Sequence, residues 1–147
     1  MDRRRFLLTS LASVLGAPVG AEAQQAKLAR VGYLSGGTAA GVASGGTAEH
    51  IVKAWRETLA EVGYAEGRNL AIESRFAEGD VERLPALAGE LVRKGIDVIV
   101  AIGPALLQAA RAATSRIPIV AIDLETDPVA AGLVSSLARP GGNVTGL

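Results

Sequence analysis

Asp97-Val98-Ile99-Val100-Ala101-Ile102-Gly103-Pro104, running straight into Ala105-Leu106-Leu107-Gln108-Ala109-Ala110, decides the fold. An apolar run rich in β-branched residues that stops at Gly-Pro and turns into an Ala/Leu stretch is how a buried parallel strand hands over to a helix. Pro104 suits the first helical position, where its missing N–H has no partner to lose. Ligands of open α/β sheets sit at the carboxyl ends of the strands, so the Gly103-Pro104 corner is the first place to look for function.

The same alternation extends to both sides. Toward the N-terminus, Ala29-Arg30-Val31-Gly32-Tyr33-Leu34-Ser35 reads as a first strand ending at Gly36-Gly37. Residues 36–48 read as a loop with five glycines, which invites a phosphate-loop reading. Gly-x-Gly-x-x-Gly is absent, and Gly41 and Gly46 are followed by Thr47-Ala48 rather than Lys-Ser/Thr, so a nucleotide site is not indicated. Ile51, Val52, Trp55, Leu59 and Val62 recur at helical spacing over 49–62, with Gly63 as the stop. On that stripe Trp55 is a core residue before it is a ligand-stacking one, and His50, the one histidine, has no acidic or nucleophilic neighbour and reads as solvent-facing or capping. Residues 69–76 alternate apolar with polar, as an edge strand does. Asp80 caps a helix to about Lys94, and Pro85 places its proper start near Leu84.

Toward the C-terminus, residues 117–122 form a fourth strand, and Asp127-Pro128 opens a further helix with Val129, Leu133, Val134 and Leu137 on its apolar side. Arg139-Pro140-Gly141-Gly142 ends that helix, and Val144-Thr145-Gly146-Leu147 begins an extended segment. The whole is an α/β fold, a Rossmann-like parallel sheet with right-handed crossovers. With the alternating second strand at the edge, its order is 2-1-3-4, and the final segment can add strand 5.

Composition narrows the function. The 147 residues carry 49% hydrophobic and 20% charged side chains, a globular balance, and the formal net charge is zero. With no basic cluster among its few aromatic residues, the chain has no footprint for nucleic acid. It has no cysteine, hence no disulfide, thiolate metal site or cysteine nucleophile. No Gly-x-Ser-x-Gly elbow and no second histidine supply nucleophilic or metal-assisted hydrolysis, and nothing indicates a cofactor. Asp123-x-Glu125-x-Asp127 has Pro128 and Val134 where a calcium loop needs Gly and Glu, so no metal site is expected.

The first 23 residues read as an address. Arg3-Arg4-Arg5, the apolar run from Phe6 to Leu15 and Ala21-Glu22-Ala23 have the three-part plan of a secretory signal, too short to span a bilayer. Arg3-Arg4-Arg5-Phe6-Leu7 resembles a twin-arginine signal, with Asp2 where Ser or Thr is usual. Cleavage near Ala23 would leave 24–147 as the exported domain, in the periplasm with no membrane insertion. Taking Arg3, Arg4, Arg5, Asp2 and Glu22 from the 15 charges of each sign leaves 12 basic and 13 acidic residues.

In the order 2-1-3-4 the chain reverses direction between the first and third strands, which opens a crevice above Ser35, Gly36, Gly103, Pro104 and Ala105. The helix start at Pro104 offers free N–H groups and a positive helix end to an anion. Asp123 and Asp127 follow the fourth strand beside the same crevice and suit an ammonium group, so together the candidates fit a zwitterion. Asp127 also explains itself as an N-cap, Asp123 as a solvated loop residue, and Ser35 as a strand end.

Four stretches carry a resemblance: Arg30-Val31-Gly32-Tyr33-Leu34-Ser35; Leu59-Ala60-Glu61-Val62-Gly63-Tyr64-Ala65-Glu66-Gly67-Arg68-Asn69-Leu70; Glu82-Arg83-Leu84-Pro85-Ala86-Leu87-Ala88-Gly89-Glu90-Leu91-Val92; and Asp127-Pro128 through Arg139-Pro140-Gly141-Gly142-Asn143-Val144-Thr145-Gly146. In that order they resemble the exported substrate-binding proteins of ABC transporters, tryptophan/tyrosine-binding type. The resemblance implies a periplasmic binding-protein fold of type I, two α/β lobes with solute held between them and passed to an ABC permease in the inner membrane. It further implies that this chain is the first lobe, with the second absent, and that it is not an enzyme. The family usually has Gly-Thr or Gly-Ser where this chain has Gly103-Pro104, so a hydroxyl donor is missing. A small exported enzyme or sensor domain on the same fold, and a truncated fragment without function, are the competing readings.

Overall fold

The computed structural model describes residues 27–43, 47–122, 127–136, 138–139 and 141–146. The expected export signal at 1–23 and Asp123 lie outside the described residues. Five parallel strands form one sheet in the order β2-β1-β3-β4-β5: β1 (Ala29–Ser35), β2 (Leu70–Phe76), β3 (Val98–Ile102), β4 (Ile119–Ile122) and β5 (Val144–Gly146). The expected order holds, and the final segment does add the fifth strand. Central pairing aligns Tyr33 with Val100 and Val100 with Val120.

Four helices accompany the strands: α1 (Ala39–Ala43), α2 (Thr47–Glu61), α3 (Leu84–Arg93) and α4 (Pro104–Ala113). The glycine-rich segment expected to be a loop holds α1, a single five-residue turn. The Thr38 hydroxyl accepts the Gly41 N–H at 2.8 Å, and the Glu78 carboxylate accepts the Ala39 N–H at 3.2 Å. Asp80 accepts the Glu82 N–H and caps a 3₁₀ turn, Val81–Arg83, so that α3 starts at Leu84 with Pro85 in its first turn, where no backbone donor is needed.

The expected helix after Asp127 is cut to one turn. Asp127 caps it, accepting N–H groups of Val129 and Ala130 at 3.0 and 3.2 Å. Gly132, at φ +67°, closes it: Gly132 N–H reaches Val129 and Leu133 N–H reaches Pro128, the paired bonds that end helices through a left-handed glycine. Leu133 and Val134 are nevertheless buried, as their apolar spacing required, whereas Val129 is exposed and Leu137 lies outside the described residues.

The core lies between the sheet and α3 and α4. Leu34, Leu91, Ile99, Leu107 and Ile119 are fully buried there. Gly32 is glycine because a Cβ would run into Ile96 and Leu91. On the opposite face Val31, Tyr33 and Val52 are buried, while Trp55 is half-exposed with its ring 6.3 Å from that of Tyr33. His50 is exposed. Among the described residues no helix is long and apolar enough to cross a membrane.

Candidate functional site

β1 and β3 are adjacent, and the chain leaves them in opposite directions: from β1 toward β2 at one edge, from β3 toward β4. Loops that part company in this way leave a recess between them. Its walls are Tyr33, Leu34, Ser35 and Gly36 from the end of β1, Ile102 and Leu106 from the β3–α4 corner, and Ile51 from α2, around about 200 Å³.

On the β1 side the backbone is pinned. Carbonyls of Ser35, Gly36 and Gly37 accept N–H groups of Ala77, Gly79 and Glu78 at 2.9 to 3.0 Å, so the loop after β1 is tied to the loop after β2. Ser35 is the one buried polar side chain among the described residues. Its hydroxyl accepts the Gly37 N–H at 3.2 Å, which leaves its own hydrogen free to donate.

On the β3 side Gly103 has φ +102° and ψ 159°, a conformation that favours glycine, and its N–H is held by Ile122 at 2.8 Å. Gly103 is the N-cap of α4 and makes no side-chain cap bond. The first helical bond runs from Leu107 N–H to the Gly103 carbonyl at 3.1 Å. Pro104 has no N–H to satisfy, and the N–H groups of Ala105 and Leu106 have no acceptor among the described residues. Two uncapped donors at the positive end of a ten-residue helix make this corner, next to the recess, suited to an anion.

Ser35 and Gly36 line the recess and Leu106 reaches them from the β3 side, since a Cβ at Gly36 or at Gly103 would each contact the Leu106 Cδ1, at 3.8 and 4.0 Å; Gly103, Pro104 and Ala105 are not among the lining residues. Asp127 is not among the residues lining the recess, and its carboxylate already holds the two N–H groups of its own turn. Leu106, Ile51 and Tyr33 escaped the sequence reading. Leu106 had a signal, being three residues beyond Gly103 on the first turn of α4. Tyr33 is 6% exposed, its ring packs against Trp55 and, edge to face, against Phe76 at 6.4 Å, and its hydroxyl has no hydrogen-bond partner among the described residues.

The opposite end of the sheet is electrostatically closed. Asp97 accepts the Arg30 N–H and the Lys27 ammonium, each at 2.9 Å. The Arg30 N–H first, then Lys27, hold its carboxyl below the usual aspartate value of 3.8.

Residues 40–147 match the family model for ABC transporter substrate binding protein. A curated relative, the tyrosine-binding protein of Clostridioides difficile strain R20291, is 42% identical over 94 residues, which cover 64% of this chain and 27% of the relative. Among solved structures, the ABC domain of Streptococcus pneumoniae in complex with L-Trp superposes with a TM-score of 0.66 at 32% identity, over 81% of this chain and 38% of that one. The ligand-free, open structure of a Clostridium difficile substrate-binding protein with adhesive properties gives 0.67 at 29% identity, over 80% and 38%. The chain thus spans about a quarter of its curated relative's length and under two-fifths of these solved chains. By the match over most of its length and the shared sheet, this chain belongs to the family of ABC transporter substrate-binding proteins.

Proposed function

We propose that the chain is the first lobe of an exported solute-binding protein that serves an ABC importer, and that its solute is a small amino acid-like molecule or carboxylate. The observation that carries the reading is the uncapped start of α4 next to the β1–β3 recess, where the Ala105 and Leu106 N–H groups have no acceptor among the described residues. A ligand carboxylate there satisfies both donors and meets the positive helix end. Ser35 adds a hydroxyl donor, and Gly36 and Gly103 keep the approach to the backbone open. Asp123 and Asp127 are proposed for the ammonium side, Asp127 in addition to its capping duty.

At about 200 Å³ the recess is smaller than the ~300–1,000 Å³ of ordinary ligand pockets, which suits one wall of a cleft closed by a second lobe. That a Streptococcus pneumoniae relative was solved with L-Trp and a Clostridioides difficile relative is called tyrosine-binding supports an amino acid as solute. Pro104 departs from the hydroxyl residue the resemblance leads one to expect at that corner, and leaves recognition of the carboxylate to backbone N–H groups. The role is binding and delivery to an inner-membrane permease from the periplasm, not catalysis, with residues 1–23 as the export signal.

The test is a thermal-shift screen of this chain joined to the part of the Streptococcus pneumoniae relative it does not match, against amino acids and small carboxylates. A solute at a hundredfold its Kd stabilises a binding protein by about 2.7 kcal/mol, a readable shift. At least one member of the panel should raise the melting temperature. No shift across the panel would overturn the reading, and turnover lost in Asp123→Asn without loss of folding would favour an enzyme.

A further inference from the structure

The rim strand β2 pairs on one side only, with β1, in unbroken register from Ala29 with Leu70 to Ser35 with Phe76. Two bonds at its ends fix which way its backbone groups point. Ala29 N–H donates to the Asn69 carbonyl and Ala77 N–H to the Ser35 carbonyl, each at 2.9 Å, so in this parallel ladder Asn69, Ala71, Glu73, Arg75 and Ala77 are the residues bonded to β1. Leu70, Ile72, Ser74 and Phe76 therefore aim N–H and C=O at the free edge. Leu70 uses both groups locally, on the Ala65 carbonyl and the Gly67 N–H. Beyond it the Ser74 carbonyl takes Arg75 Nη1 at 2.8 Å, and the other outward groups of Ile72, Ser74 and Phe76 have no partner among the described residues.

Such an edge is open to another strand, and proteins ordinarily blunt it with proline, a bulge or repelling charge. β2 has no proline and no bulge, and its two charges are of opposite sign. Glu73 and Arg75 stand two residues apart on the α3 face, where Arg75 also reaches Glu90 at 2.8 Å; Ile72, Ser74 and Phe76 stand on the other face. Turned about a two-fold axis through Ser74, the strand meets itself antiparallel, with Ser74 opposite Ser74, Ile72 opposite Phe76 and Glu73 opposite Arg75. The three outward residues then all fall at hydrogen-bonded positions, and the charged ones at the closer positions between them. A centre at Glu73 or at Arg75 would instead set like charges against each other, so the charges select this register.

We propose that β2 is a self-association edge, through which two copies of the protein join their sheets by antiparallel pairing about Ser74. Arg75 gives up its hold on the Ser74 carbonyl, which then accepts the Ser74 N–H of the other copy, and turns its guanidinium to the other copy's Glu73. Opposite charges and an aliphatic residue against an aromatic ring are the cross-strand pairs that stabilise sheets, and the two-fold supplies each of them twice. The occupant is a second copy because the edge is complementary to itself, and the two-fold closes the assembly at two. One strand pair with its flanking side chains is a small interface, so the association belongs to the micromolar range. The inference rests on the sheet edge and is independent of where the solute sits.

The test is sedimentation equilibrium of this chain joined to the unmatched part of the Streptococcus pneumoniae relative, with melting temperatures as the check on folding. The parent should form a dimer at micromolar concentration. Glu73→Arg and Arg75→Glu each set like charges across the two-fold and should weaken association at least about tenfold. An equimolar mixture of the two variants should restore it, since each offers the charges the other lacks. Ser74→Pro removes an outward donor and no bond to β1, so it should abolish the dimer at unchanged melting temperature. The charge variants and the proline variant each decide alone if the other set fails to fold. A parent that stays monomeric up to millimolar concentration overturns the proposal. So does a dimer that Ser74→Pro leaves intact, which places the contact on another surface, and so does a mixture of folded charge variants no more associated than either variant alone.

Discussion

Asp97 and Gly103 bracket the same strand and are opposites in chemistry. Asp97 satisfies every group near it: it takes the Arg30 N–H and the Lys27 ammonium, and its own N–H goes to the Arg30 carbonyl at 2.8 Å. Gly103 leaves two helix donors open. The first arrangement belongs to stability, and the second is the one proposed for binding. Because the folded Asp97 carboxyl is held below 3.8, its stabilisation is present above that value and is lost as pH falls through the folded one. Asp97→Asn should therefore lower the urea midpoint at pH 7 by a margin worth under ~1 kcal/mol, the site being exposed, and leave a flatter loss than the parent shows as pH falls below 3.8. An unchanged acid profile in the variant would remove Asp97 from the account. Asp127 admits a similarly sharp separation of roles. Asp127→Ser keeps a cap and should keep stability, Asp127→Ala should lose about 1 kcal/mol, and a loss of solute binding in the Ser variant at unchanged stability would mark a ligand contact beyond the cap.

At the scale of elements, strands were legible because each carries its period: the unbroken apolar runs of β3 and β4 belong to the middle of the sheet, and the alternation of β2 marks the rim. The Gly103-Pro104 corner was legible for the same reason, a turn residue followed by a first-turn proline. What misled was the segment after Asp127, where helical spacing continued past Gly132 although that glycine takes a left-handed conformation and closes the turn. Periodicity records which side chains are buried, and Leu133 and Val134 are, but not whether the backbone between them stays helical. The last motif of the resemblance also turns out to have a structural meaning. Asn143 donates from its side-chain amide to the Thr114 and Ile117 carbonyls at 3.1 and 2.8 Å, fastening the entry of β4 to β5. Gly146, at φ +94°, lies so close to the Ala121 backbone that a Cβ has no room. Asn143→Ala leaves two half-buried carbonyls unsatisfied and should cost ~1–3 kcal/mol in chemical denaturation; a cost near zero would show that water replaces the amide without loss.

For the whole molecule, the recess at the β1–β3 switch and the free edge of β2 follow from one fact, the strand order. The order was readable from the sequence, and so was the recess. The register of the edge was not, because the alternation of 69–76 marks a rim strand without saying which residues turn their backbone groups outward. Ile51 and Tyr33 were hidden likewise, since each reads as core until the strands are placed. Membership of the substrate-binding family agrees with the uncapped backbone donors at the start of α4. The most direct test of the central claim, that backbone N–H groups at the start of α4 hold a carboxylate, is calorimetric titration. The protein is this chain joined to the remainder of its Streptococcus pneumoniae relative, and the ligands are an amino acid found in the thermal-shift screen and its decarboxylated amine. Two charge-assisted hydrogen bonds at ~1.5–3 kcal/mol each make the amine at least about a hundredfold weaker. Equal affinity for the amine and the amino acid would contradict the account.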